Sequence, residues 1–135
     1  MTLPRSEERR GARERALGLL YEAETKGCTG AEVLASLPVP ADEFTAALVL
    51  AVDEHREQID GLLSEHARGW TLARMPALDR AALRMGTAEL LTRPDVPTPV
   101  VLNEAVELAK RFSTDDSGRF VNGLLSTIAA QVRSP

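Results

Sequence analysis

The stretch 97–128, PTPVVLNEAVELAKRFSTDDSGRFVNGLLSTI, constrains the fold more than any other part of this chain. Val101, Ala105, Leu108, Ala109 and Phe112 recur at helical spacing, and Phe120, Val121, Leu124, Leu125, Ile128 and Val132 repeat the pattern after a polar break. Thr98 reads as an N-cap with Pro99 at the first helical position, where its missing N–H costs nothing. Ser113, Thr114, Asp115 and Asp116 stop the first helix and cap the second, with both carboxylates at its positive end. Packing leaves Asn103, Glu104, Lys110, Arg119 and Asn122 without an explanation.

The rest of the chain agrees. Apolar residues are 44% of the 135, rich in Ala and Leu, while aromatics are only 4%, a composition that favours helices over sheet. A first helix is predicted over 6–26, ending at Gly27, with a core stripe of Ala12, Ala16, Leu19 and Ala23 flanked by Leu20. A short helix follows at 29–36, and Pro38 and Pro40 punctuate it. One long helix is predicted from 42 to 67, with Gly61 as the place where it breaks or bends. Gly69 and Trp70 mark the passage to a second half, where a lone Trp is expected as a core anchor. A helix over 76–91 then leads through Arg93, Pro94, Asp95 and Pro97 into the stretch above. Asp79, Arg80 and Arg84 are expected to pair at helical spacing, and Arg93 to reach back to Glu89. The expectation is an all-α fold in one domain, 1–135, with halves of about 1–68 and 69–135.

Several function classes drop out. No apolar run approaches the ~20 residues that span a bilayer, and no signal-peptide pattern opens the chain, so a cytoplasmic protein is expected. Cys28 is the only cysteine, which excludes an intrachain disulfide or a thiolate zinc cluster. His55 and His66 share a helix face but sit roughly 16 Å apart along it, too far to share a metal. No phosphate loop, metalloprotease helix or Cys–His nucleophile pair is present, and no cofactor is expected. Formal net charge is −4, yet residues 1–15 carry five arginines against three glutamates. An acidic protein with a basic end binds phosphate locally and with strong salt dependence. On the first helix, Arg10, Arg13, Leu17 and Tyr21 form a second stripe, read either as a solvated face or as a binding face.

Three segments carry a resemblance: RRGARERALGLLYEAE, WTLARMPALDRAALRMGTAELL with the DVPTPVVLNEA join, and NEAVELAKRF followed by DDSGRFVNGLL. In this order they resemble the NusB family of bacterial transcription antitermination factors across nearly the whole chain. The resemblance implies a NusB-like fold of two packed three-helix-type bundles without catalysis. It implies pairing with NusE, a ribosomal small-subunit protein, and joint binding of boxA-type single-stranded nascent RNA. The setting would be the antitermination complex of Nus factors and RNA polymerase, acting on ribosomal RNA operons. Carried over by motif, the RNA-contacting residues are Arg9, Arg10 and Arg13 with Asp116, Arg119 and Phe120, although Gly11 stands where many members have another basic residue. Tyr21 and Glu89 match the family's NusE-facing positions, while Asn103 and Glu104 are expected to tie the halves together. Phe120 fits the core stripe of its helix equally well. Arg10, Arg13, Arg119 and Phe120 are expected on one continuous surface. The alternatives are a small helical enzyme of chorismate-mutase type, or a self-associating homodimer without RNA activity.

Overall fold

The computed structural model describes residues 5–133, so residues 1–4 and 134–135 of the expected domain lie outside the described part. It contains α1 (Arg5–Lys26), α2 (Gly30–Ala35), α3 (Glu43–Glu54), α4 (Arg56–His66), α5 (Ala77–Thr92), α6 (Thr98–Phe112) and α7 (Asp115–Val132). One 3-10 turn, Leu72–Arg74, lies in the link between α4 and α5. No strand occurs among the described residues, and the fold is all-α. None of these helices is long and apolar enough to cross a membrane.

Local chemistry explains most boundaries. Gly27 takes the left-handed conformation (φ 66°) that lets the Cys28 N–H reach the Ala23 carbonyl at 2.9 Å and close α1. Thr29 opens α2 through a capping box with Glu32. The Asp53 carboxylate of α3 accepts from the Gly30 and Ala31 N–H groups at 3.0 and 2.8 Å. Asp42 caps α3 through Thr45. The N-cap of α7 is Thr114, whose hydroxyl accepts from the Ser117 N–H at 3.0 Å, so Asp115 and Asp116 sit inside the first turn instead of capping it. At α6 the N-cap position falls to Pro97, and the Thr98 hydroxyl accepts from Arg133 at 3.1 Å.

The stretch 97–128 forms the expected α6–α7 hairpin, but α5 is the element around which the others assemble. It packs against α1, α3, α4, α6 and α7. Ten of its sixteen residues are buried, as is required of a helix covered nearly all round. Gly86 makes this possible on the hairpin side. A Cβ there would lie 2.8 Å from Leu125 Cδ1 and 3.6 Å from Ala105 Cβ, so the missing side chain sets how closely α5 meets α6 and α7. At the far end, the Arg133 guanidinium donates to the carbonyls of Leu90, Arg93 and Val96 at 3.0, 2.8 and 2.7 Å. It thereby satisfies carbonyls at the end of α5 and fixes the α5–α6 join against α7.

Three sequence expectations change. The long helix predicted over 42–67 breaks at His55, not at Gly61. His55 adopts φ −105°, ψ 19°, and α4 restarts there in a direction that packs it on α5 and α7. Trp70 is no core anchor but is 47% exposed, presented after a left-handed Gly69 (φ 78°). Asp79, Arg80 and Arg84 pair across helices instead of along α5. Asp79 accepts from the Ser117 hydroxyl at 2.9 Å, Arg80 pairs with Glu24, and Arg84 binds Asp60 at 2.9 Å.

Candidate nucleic-acid interface

The second stripe of α1 divides in two. Because α3 and α5 both pack on this helix, its covered arc is wider than one stripe. Leu17 joins Leu20, Ala16 and Ala12 in the core, and Leu19 is only partly buried. Arg13 is buried as well. Its Nη2 and Nε donate to the two Glu89 oxygens at 2.6 and 2.8 Å, and both side chains are at most 3% exposed. This corrects two expectations at once. Arg13 is withdrawn from the surface where RNA contact was expected, and Glu89 is withdrawn from the expected NusE-facing surface, because each neutralises the other inside the protein. Arg93, expected to reach Glu89, instead pairs with Asp95 at 3.3 Å.

Arg10 remains outside, while Arg9 is largely covered, its side chain 16% exposed. The Arg9 guanidinium lies 4.7 Å from the Phe44 ring centroid and 3.4 Å from Asp95. Arg13 and Arg93 approach the same ring, at 5.3 and 5.0 Å, so Phe44 gathers three guanidinium groups around one face of the α1–α3 contact. Arg10 is 61% exposed and makes a forked contact with Glu104 at 3.2 Å. Hydrogen bonding to Glu104, followed by its charge, raises the Arg10 pKa above its ordinary value, so the group is a permanent cation. This contact ties α1 to α6, which is the linking role expected of Glu104; Asn103 is exposed. Tyr21 is 39% exposed on α1.

The second expected group lies at the start of α7. Asp116 and Arg119 pair with each other one turn apart and are more than 80% exposed. Hydrogen bonding to Asp116 raises the Arg119 pKa. Phe120 is half-buried, neither wholly core nor free: it packs against the core on one side and against Trp70 on the other, with ring centroids 5.5 Å apart and planes at 43°. Arg119 and Phe120 line an open groove with Glu65, His66, Arg68 and Thr127. The expected single surface therefore loses Arg13. What remains is Arg10 against α6 and, by the α4–α7 groove, Arg119 with Phe120. Sequence reasoning missed Trp70 as a surface ring. The available signal was its setting, directly after Arg68 and Gly69 in a link with no apolar periodicity.

Exposed cations, a half-open aromatic pair and a helical scaffold suit anion and base contact better than bond chemistry. No group of three metal-ligating side chains occurs among the described residues. The relatives of this chain place it among the transcription antitermination proteins. Over 128 residues it is 54% identical to the transcription antitermination protein NusB of Saccharopolyspora erythraea, covering 90% of this chain and 86% of that one. It is 51% identical over 124 residues to the corresponding protein of Thermobifida fusca, covering 89% and 87%. The NusB family model matches residues 10–130, and the chain belongs to the NusB family. Its fold superposes on T. maritima NusB with a TM-score of 0.83 at 33% identity, over 97% and 94% of the two chains. It also matches a crystal structure of the antitermination factors NusB and NusE in complex with double-stranded RNA. There the TM-score is 0.78 at 29% identity, over 91% and 96% of the two chains.

Proposed function

We propose that this NusB-family chain binds boxA-type single-stranded RNA together with NusE, as a non-catalytic cytoplasmic component of the antitermination complex of Nus factors and RNA polymerase on ribosomal RNA operons. The likeness to the NusB–NusE–RNA complex carries this reading, since it covers 91% of the chain. In this reading the two halves, about 1–68 and 69–135, work as one unit, supported by ties such as Arg13–Glu89 and Arg10–Glu104 that cross between them. Arg9 and Arg10 supply cations to phosphates. Asp116 accepts from a base amino group, Arg119 adds a further cation, and Phe120 offers a ring to an unstacked base. Tyr21 serves the NusE contact without Glu89, whose carboxylate is committed to Arg13.

The test is an anisotropy titration of labelled boxA-type RNA, single-stranded and duplex, with and without NusE. The expected result is binding of the single strand that tightens with NusE. Arg10→Ala is expected to weaken it and to flatten its log–log salt dependence by roughly 0.7, the value for one phosphate contact on a single strand. Absence of binding with NusE present, or a preference for duplex, overturns the reading.

A further inference from the structure

The described chain holds sixteen Lys and Arg side chains, and nearly all are engaged. Arg9, Arg10, Arg13, Arg15, Arg56, Arg80, Arg84, Arg93, Arg111, Arg119 and both lysines pair with carboxylates, and Arg133 binds carbonyls. Among the described residues, the basic side chains without an ion pair or hydrogen bond are Arg5, Arg68 and Arg74. Two of these three stand in one short link, 67–76, on either side of Trp70. That link also holds the exposed indole, at 47% exposure, leaning on Phe120. Uncommitted cations and a half-exposed ring thus share the link where α4 passes to α5. A chain that satisfies nearly every other cation internally has left these free.

We propose that Trp70 and Phe120 form a two-ring stacking platform for an unstacked base of single-stranded RNA. Arg68 and Arg74 take the flanking phosphates. The inference rests on the proposed RNA-binding function and extends the RNA path from the start of α7 onto the 67–76 link. The physical case is complementarity of two kinds. A base presents a flat π-face of any sequence, which a half-exposed indole accepts, and its neighbouring phosphates demand cations without a carboxylate already bound. The rings meet at a 43° tilt and not as a parallel stack, and the indole keeps 47% of its surface exposed. Arg68 and Phe120 line the groove by α7 together with Glu65, whose carboxylate disfavours phosphate beside it. Gly69 supports the arrangement, because its left-handed φ turns the link immediately before the indole.

Trp70 is the only tryptophan, so its own emission reports the contact. Unlabelled single-stranded boxA-type RNA is titrated into the wild-type chain with and without NusE, with Trp70→Phe as the emission background. Labelled RNA is followed in parallel by anisotropy. The expected result is quenching of Trp70 that tracks the anisotropy curve, with roughly 5- to 100-fold weaker binding for Trp70→Ala at an unchanged salt slope, and near-complete recovery in Trp70→Phe. Arg68→Gln and Arg74→Gln are each expected to reduce the slope by roughly 0.7. Anisotropy binding without quenching, and with Trp70→Ala equal to wild type, overturns the platform while leaving the RNA function standing. A Trp70 response to NusE alone and none to RNA reassigns the ring to a protein contact and overturns the platform too. Absence of RNA binding in any arm overturns both readings. Because quenching is read on the wild-type chain, a folding defect in Trp70→Ala does not shield the proposal.

Discussion

The Arg13–Glu89 and Asp116–Arg119 pairs have the same chemistry and opposite consequences. The first joins α1 to α5 with both side chains at most 3% exposed; the second spans one turn of α7 with both more than 80% exposed. In the interior the two charges have no alternative partner, so the pair acts as a structural pin between the halves. On the surface water competes for every hydrogen bond, so the pair adds little to the fold and its charges stay available to a ligand. Burial, not residue type, decides which arginines of this chain are committed to the fold and which stay open to a ligand.

Breaking the buried pair is the largest expected effect. Arg13→Ala leaves a buried carboxylate uncompensated and is expected to cost about 3–5 kcal/mol in urea denaturation. Glu89→Lys, which places two cations together, is expected to cost at least as much or to abolish folding. The double variant Arg13→Met/Glu89→Leu is expected to recover most of the loss, because an apolar pair of similar volume removes the desolvation problem. A single-variant cost below about 1 kcal/mol would mean that water reaches the pair and that the contrast with α7 is false.

The same comparison extends to close approach. A Cβ at Gly86 meets Leu125 Cδ1 at 2.8 Å inside the α5–α7 contact, whereas one at Gly118 meets Lys110 Cγ at 2.5 Å. The Gly118 distance is shorter, yet Lys110 is an exposed flexible chain that swings away, and Leu125 is fully buried. Gly86→Ala is therefore expected to destabilise by about 1–3 kcal/mol and Gly118→Ala by less. Equal midpoints for the two would show that α5 shifts to absorb the methyl group.

How far the sequence could be read follows from what each signal encodes. The 3.6-residue period gave six helical segments, with α3 and α4 read as one, and Gly27 gave the end of the first. Periodicity on one helix does not tell how many neighbours cover it. That is why Arg13, Leu17 and Glu89 read as surface: α1 and α5 are covered on more than one side, and a charged residue on a second stripe is hidden once its partner arrives from 76 positions away. The break at His55 escaped for a related reason, since no glycine or proline marks it and tertiary packing of α4 on α5 sets the turn. Trp70 was misplaced by its residue type, which usually anchors a core. The family motifs named Arg10, Asp116, Arg119 and Phe120 as candidates by position but carried no information on the free arginines of the 67–76 link.

Between the two extremes stands Arg15–Asp42, with side chains 58% and 41% exposed. Burial pushes the Asp42 pKa up, but hydrogen bonds from Thr45 and Arg15 and the Arg15 charge hold it down, to about 2. A folded-state pKa below the unfolded value of roughly 4 stabilises the fold above pH 4, and this contribution is lost as pH falls through about 2. Exposure screens it, so under about 1 kcal/mol is expected at pH 7. Asp42→Asn is expected to be less stable than wild type by that amount at neutral pH and to converge with it near pH 2. A difference that persists at pH 2 would assign the effect to the shape of the cap and not to its charge.

The smallest stability effect belongs to the exposed pair, and it gives the sharpest test of the comparison. Arg119→Gln removes a cation that water already solvates, so the Tm is expected to stay within error of wild type. Its effect is expected in the RNA titration instead, as a salt slope reduced by roughly 0.7 with a few-fold loss of affinity at physiological salt. For Arg13 the reverse is expected. In conditions where Arg13→Ala remains folded, its salt slope should match wild type, because a guanidinium committed to Glu89 and sealed from solvent releases no counterion on binding. If Arg13→Ala lowers the slope and Arg119→Gln does not, the pairs have been assigned the wrong way round. The α1–α5 contact would then have to open when RNA arrives.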